Sequence, residues 1–154
     1  MSSFIGDYDC KVDEKGRVLF PSALRKQITS AAPDRFVVKK DIYEECLVLF
    51  PMEEWERQNA LIRKNTNPYN KEHNQFLREF YRGTAEVSLD ASGRLLFSKR
   101  LLDMVGIEKD VVFAGMNGKI EIWAKSKYEG AQMPLGDFAS LADKILGSTI
   151  IKDE

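Results

Sequence analysis

The sequence predicts a mainly β fold with flanking helices, in which two similar halves pair around a pseudo-twofold axis to form an internally symmetric barrel. Three observations carry this expectation: a gapless repeat, period-two alternation within it, and halves too short to stand alone. Val12-Asp13-Glu14-Lys15-Gly16-Arg17-Val18-Leu19-Phe20 aligns with Leu89-Asp90-Ala91-Ser92-Gly93-Arg94-Leu95-Leu96-Phe97, and the match continues to Leu24 and Leu101. Gly6 and Gly83 keep the same offset. At a slightly shorter offset, Cys46-Leu47-Val48-Leu49-Phe50 with Trp55 corresponds to Lys119-Ile120-Glu121-Ile122-Trp123 with Tyr128. A half of about 50 residues cannot bury a full core, so each is expected to complete the other's sheet. The expected division is 4–64 for a first module with its helix and 65–82 for a connecting helix. Residues 83–130 form the second module and 131–154 a C-terminal helix and tail.

In chain order, Tyr8, Cys10 and Val12 alternate with Asp9 and Lys11, the pattern of a half-buried strand. Asp13-Glu14-Lys15-Gly16 then reads as a type I turn, with Asp13 accepting backbone N–H groups and Gly16 free to take positive φ. Asp90 and Gly93 hold the same places in the second copy. Val18, Leu19 and Phe20 resume the strand, and Pro21 opens a short helix in which Leu24 and Ile28 share a face. Phe36-Val37-Val38 and Leu47-Val48-Leu49-Phe50 are the next strands. Their counterparts are Val111-Val112-Phe113-Ala114 and Ile120-Glu121-Ile122-Trp123, around a turn at Asn117-Gly118. Met52, Trp55, Asn59 and Ile62 mark a helix ended by Asn65-Thr66-Asn67-Pro68. Tyr69, His73, Phe76, Leu77, Phe80 and Tyr81 follow helical spacing up to Gly83, a stripe expected to be core or interface. A last helix carries Phe138, Leu141, Ala142 and Ile145, with Asp137 as its N-cap and Gly147 closing it.

No apolar run is long enough to span a bilayer, and residues 1–7 lack the basic-then-apolar order of a signal peptide, so a cytoplasmic protein without a membrane partner is expected. Cys10 and Cys46 read as buried reduced thiols. With the single histidine, His73, they cannot furnish a four-ligand zinc site, so no metal or cofactor is expected. Glu44-Glu45 and Glu53-Glu54 have no His, Cys or Ser at a converging spacing, and no Gly-rich phosphate loop is present. Neither a catalytic residue nor a small-molecule substrate is expected. The net charge of −1 does not by itself suggest a polyanionic partner. Its distribution permits one without arguing for it: Lys11, Lys15, Arg17, Arg25 and Lys26 face only Asp13 and Glu14 within residues 11–26, while 137–154 is net acidic. Screening limits a charge's reach to about 10 Å, so a basic module keeps its local field.

The Asp-x-x-Gly-Arg turns carry the chemistry. A two-stranded β element fits the major groove of DNA, and an arginine just after its turn can offer a bidentate fork to guanine O6 and N7. Arg17 is the candidate reader, with Arg94 in the second copy. Lys15 at the tip and Lys11 on the flanking strand would hold phosphates. The competing reading is that Asp13 merely pairs with Arg17, and Asp90 with Arg94, to lock the turn. A second functional class, a non-enzymatic assembly or partner-binding protein of antitoxin or scaffold type, draws on the near-zero net charge and the acidic tail.

Asp13-Glu14-Lys15-Gly16-Arg17, Phe50-Pro51-Met52-Glu53-Glu54-Trp55 and Glu121-Ile122-Trp123, at this spacing, resemble the bacterial MraZ family of transcriptional regulators over residues 4–128. The resemblance implies two SpoVT/AbrB-type swapped-hairpin modules and a ring-shaped homo-oligomer. It also implies binding to short tandem G-containing repeats in double-stranded promoter DNA, in a nucleoid-associated regulator, largely a repressor, of the division and cell-wall gene cluster. By position, Lys15 and Arg17 match the family's DNA-contacting turn, and Gly93 and Arg94 its second copy. The second copy departs from the pattern: Ala91-Ser92 lacks the lysine, and Ser98 replaces the helix-opening proline.

Overall fold

The computed structural model describes residues 2–153, with side-chain surroundings as far as residue 147. Met1 and Glu154, and the side chains of Lys152 and Asp153 counted in the acidic tail, lie outside the described residues. The first half contains β1 (Asp7–Lys11), β2 (Arg17–Leu19), α1 (Ser22–Arg25), β3 (Arg35–Lys40), β4 (Leu47–Pro51) and α2 (Met52–Asn65). After α3 (Lys71–Tyr81) come β5 (Ala85–Ser88), β6 (Arg94–Leu96), α4 (Lys99–Met104), β7 (Asp110–Met116), β8 (Lys119–Ala124) and α5 (Lys125–Gly130). The described chain ends in α6 (Leu135–Asp153).

Six strands form one sheet in the order β1-β7-β8-β4-β3-β5, which reads the same when the halves are exchanged. β1 pairs with β7 of the second half, and β5 with β3 of the first, so each half lends an edge strand to the other. The remaining strands, β2 and β6, form a two-stranded antiparallel ribbon in which Val18 stands opposite Leu95, its own counterpart in the repeat. The pseudo-twofold axis passes through that pair. Beyond the ribbon ends, the Phe20 N–H donates to the Gly93 carbonyl at 3.0 Å and the Phe97 N–H to the Gly16 carbonyl at 2.9 Å. This exchange of edge strands between halves is what the repeat and the short halves predict, in the swapped-hairpin form that the resemblance implies. The sheet ladder leaves β1 and β5 as edges, and the ribbon's buried side chains complete the core. Phe20 lies 5.5 Å from Phe36 and 5.9 Å from Phe113, ring centroid to centroid, so one aromatic cluster ties ribbon to sheet across both halves.

Several elements differ from the sequence reading, each for a local reason. Helix α1 ends at Arg25, before Ile28, which packs against the core from the following turn. In the second half Ser98 replaces the proline as a true N-cap, accepting from the Leu101 N–H at 3.2 Å, and α4 is two residues longer. Helix α3 begins after Asn70, whose side chain accepts from the His73 N–H, so the exposed Tyr69 precedes the helix and is not on its stripe. His73 Nδ1 accepts from the Asn67 N–H at 2.8 Å and holds the entry loop. Phe80 is buried against Trp55 and beneath the Lys39 ammonium, whereas Phe76 stays 42% exposed. Asp137 lies in the first turn of α6 and does not cap it, and the helix continues through Gly147. Cys46 is buried as expected, but Cys10 is only half-buried, on an edge strand.

Gly16 shows how tightly the ribbon constrains its turns. Its φ is +88°, and a Cβ there would stand 2.5 Å from the Phe97 carbonyl oxygen, the acceptor side of the opposite half's backbone. Gly93, at φ +78°, would meet the movable end of Arg25 at 3.0 Å and Leu19 Cδ1 at an ordinary 3.9 Å, with no backbone atom in the way. Gly16→Ala is therefore expected to lower unfolding free energy by about 1–3 kcal/mol, the usual scale of such strain, and Gly93→Ala by less. Urea unfolding of the two variants checks this; an unchanged Gly16→Ala midpoint would contradict it.

Candidate nucleic-acid interface

The two Asp-x-x-Gly-Arg turns are built alike, because one carboxylate organises each. Asp13 Oδ1 accepts from the Lys15 and Arg17 N–H groups, each at 2.9 Å, while the Gly16 N–H donates to the Asp13 carbonyl at 3.0 Å. Asp90 Oδ1 accepts from Ser92 and Arg94 N–H groups, also at 2.9 Å, and the Gly93 N–H closes the turn at 2.9 Å. The backbone N–H of Arg17 holds the Asp13 carboxyl below its ordinary value, and that of Arg94 does the same for Asp90.

The second carboxylate oxygen braces the arginine. Arg17 Nε donates to Asp13 Oδ2 at 2.7 Å, and Arg94 Nε to Asp90 Oδ2 at 3.1 Å. The pairing that a purely structural turn would make is thus present in both copies. It occupies only one edge of each guanidinium. Among the described residues, the terminal nitrogens of Arg17 and Arg94 have no hydrogen-bond partner, and the side chains are 33% and 34% exposed. Ion pairs this exposed add little stability, so their main consequence is orientation: an arginine held at Nε keeps its two terminal nitrogens available.

Lys15 is exposed at the first tip, and Lys11 is exposed on β1, where it pairs with Asp110 at 3.2 Å across the ladder. Along the ribbon's outer face, Arg17 stands opposite Leu96 and Leu19 opposite Arg94. Val18 and Leu95, between them, point into the core. The structure also brings in a residue that the sequence reading counted only as charge. Arg25, at the end of α1, places Nη1 3.0 Å from where a Cβ on Gly93 would stand, in a groove also lined by Lys11, Leu19 and Ser92. A first-half cation therefore lies beside the second-half turn whose own lysine is missing. No spacing rule links Arg25 to Gly93; only the exchange of hairpins makes them neighbours. Among the described residues, no group of His, Cys, Asp and Glu side chains is placed to hold a metal ion.

The profile of the family described as "MraZ protein, putative antitoxin-like" matches residues 3–79 and again 80–140. A protein from Christiangramia forsetii, named transcriptional regulator MraZ, is 42% identical over 151 residues, covering 96% of each chain. One of the same name from Flavobacterium psychrophilum is 40% identical over 149 residues, covering 96% of this chain and 94% of the relative. A third, from Bacteroides fragilis, is 36% identical over 146 residues, covering 95% and 92%.

The turn geometry has a consequence in acid. A carboxyl held below its ordinary value stabilises the fold at pH above 3.8, and that contribution disappears as pH falls through its lower folded value. The melting temperature is expected to drop below pH 3.8, and an Asp13→Asn, Asp90→Asn double variant should lose that part of the acid dependence. Parallel melting curves for parent and variant from pH 6 down to pH 2 would contradict the bracing role.

Proposed function

The chain belongs to the MraZ family, and from that premise we propose that it is a transcriptional regulator reading promoter DNA through the outer face of the β2–β6 ribbon and its two turns. The supporting observation is the pair of arginines, each pinned at Nε by its own aspartate with the rest of the guanidinium free. Such a fork matches guanine O6 and N7 in the major groove. Lys15 on the first turn, and Lys11 and Arg25 in the groove beside the second, serve as phosphate contacts that fix register. The two modules, 4–64 and 83–130, present one turn each. The regulator acts in the cytoplasm at the nucleoid, largely as a repressor of the division and cell-wall cluster. Several copies in a ring engage tandem repeats together, so that weak single contacts add through linkage. A partner-binding reading has one observation in its favour: Phe138, Leu141 and Ile145 of α6 are exposed on described turns. Enrichment of a repeated sequence from a random DNA library separates the two readings.

If the forks read bases, Arg17→Ala should sharply reduce discrimination between the selected repeat and scrambled DNA, a loss of about 1–3 kcal/mol per engaged site. Arg94→Ala should cost less, because its turn has Ser92 where the first has Lys15, and Arg25 beside it is shared with Asp34. Binding titrations at several salt concentrations measure both. A folded Arg17→Ala protein that binds as tightly and selectively as the parent would overturn the proposal.

Ring assembly draws on the exposed part of the α3 stripe. Light scattering should give a mass well above 17.6 kDa, and Phe76→Glu should lower it without loss of β structure. Phe80 is unsuitable for this test because it is core. A parent that stays monomeric at micromolar concentration would remove the ring.

A further inference from the structure

We infer that Leu19 and Leu96 read thymine, packing against the C5-methyl groups of bases next to the guanines contacted by Arg17 and Arg94. This rests on the DNA reading above and adds to it a second, apolar kind of base contact. The two leucines are 62% and 57% exposed on a ribbon whose inward positions, Val18 and Leu95, already supply the core. A lone exposed leucine is ordinary on any surface. These two occupy equivalent positions of the repeat, each directly across the ribbon from an arginine of the other half.

The local geometry places each leucine beside the opposite turn. Leu96 Cδ1 is 3.7 Å from where a Gly16 Cβ would stand, and Leu19 Cδ1 is 3.9 Å from the corresponding point at Gly93. Both side chains therefore lie in the surface formed by the turns and not behind it. Phosphates offer nothing to an isobutyl group. Among the four base edges in the major groove, only thymine presents an apolar substituent, its C5-methyl. Cross-strand neighbours in an antiparallel pair are about 5 Å apart at Cβ, and bases on one strand rise about 3.4 Å per step. A methyl read by leucine should accordingly fall within about two steps of the guanine read by the facing arginine.

The test uses the full-length protein and duplexes it enriches from a random-sequence library, resynthesised with deoxyuridine in place of each thymine in turn. Removing a methyl near a selected guanine should weaken binding about fourfold, the factor associated with burying one CH2-sized group. A Leu19→Ser, Leu96→Ser variant should bind thymine and deoxyuridine duplexes equally, while still preferring them to scrambled DNA through its arginines. Its melting temperature establishes that it is folded. If the parent binds both duplex types equally but still rejects scrambled DNA, the leucine inference fails and the DNA reading stands. Full thymine preference retained by the folded double variant would also overturn the inference. Failure to enrich any sequence would remove both.

Discussion

Val18 and Leu95 face one another at the centre of a ribbon only three residues per strand, both almost wholly buried, and the rest of the molecule depends on that meeting. Because the two residues are equivalent in the repeat, the pairing fixes a twofold relation between the halves. That relation sends β1 to the second half's sheet edge and β5 to the first half's. Neither half holds a complete sheet, and the Phe20–Phe36 and Phe20–Phe113 contacts show one core shared between them. Loss of the ribbon would expose apolar surface from both halves at once, which makes folding of the two halves interdependent.

The same ribbon determines what the surface can do. Its strands enter directly from the Asp-x-x-Gly turns, so the antiparallel ribbon carries one turn at each end, and alternation puts Arg17, Leu19, Arg94 and Leu96 on the outer face. The aspartates spend one oxygen on backbone N–H groups and the other on Nε, converting flexible arginines into oriented ones. An ion pair at a surface contributes little energy, yet it reduces the freedom an arginine must lose on meeting a base. The structural and the recognition readings of the Asp–Arg pair are therefore compatible: under the proposed function, the brace that locks the turn also orients the fork.

Much of this was legible in the sequence because it rests on local chemistry repeated twice. Asp13, Gly16, Asp90 and Gly93 announce their turns by residue type, and the gapless repeat carries the symmetry without any contact being known. What was not legible depends on chain segments meeting across the fold. Arg25 gains its place beside Gly93 only through the hairpin exchange, and Leu19 reads as one more strand hydrophobe until the ribbon shows which side it occupies. The α3 stripe looks uniform by spacing, but Trp55 and Lys39 cover Phe80 and leave Phe76 open. Gly147 reads as a helix end by residue type, yet glycine within a helix costs only about 1 kcal/mol relative to alanine, and α6 continues through it.

The central claim is that the outer face of the ribbon enters the major groove with Arg17 on guanine. Dimethyl sulfate methylates guanine at N7, an atom exposed only in that groove, so protection from it reports the contact directly. The account predicts that the protein shields guanines of its selected repeat from methylation, and that Arg17→Ala, still folded, leaves those guanines exposed. Full guanine reactivity in a saturated complex with the parent protein would contradict it.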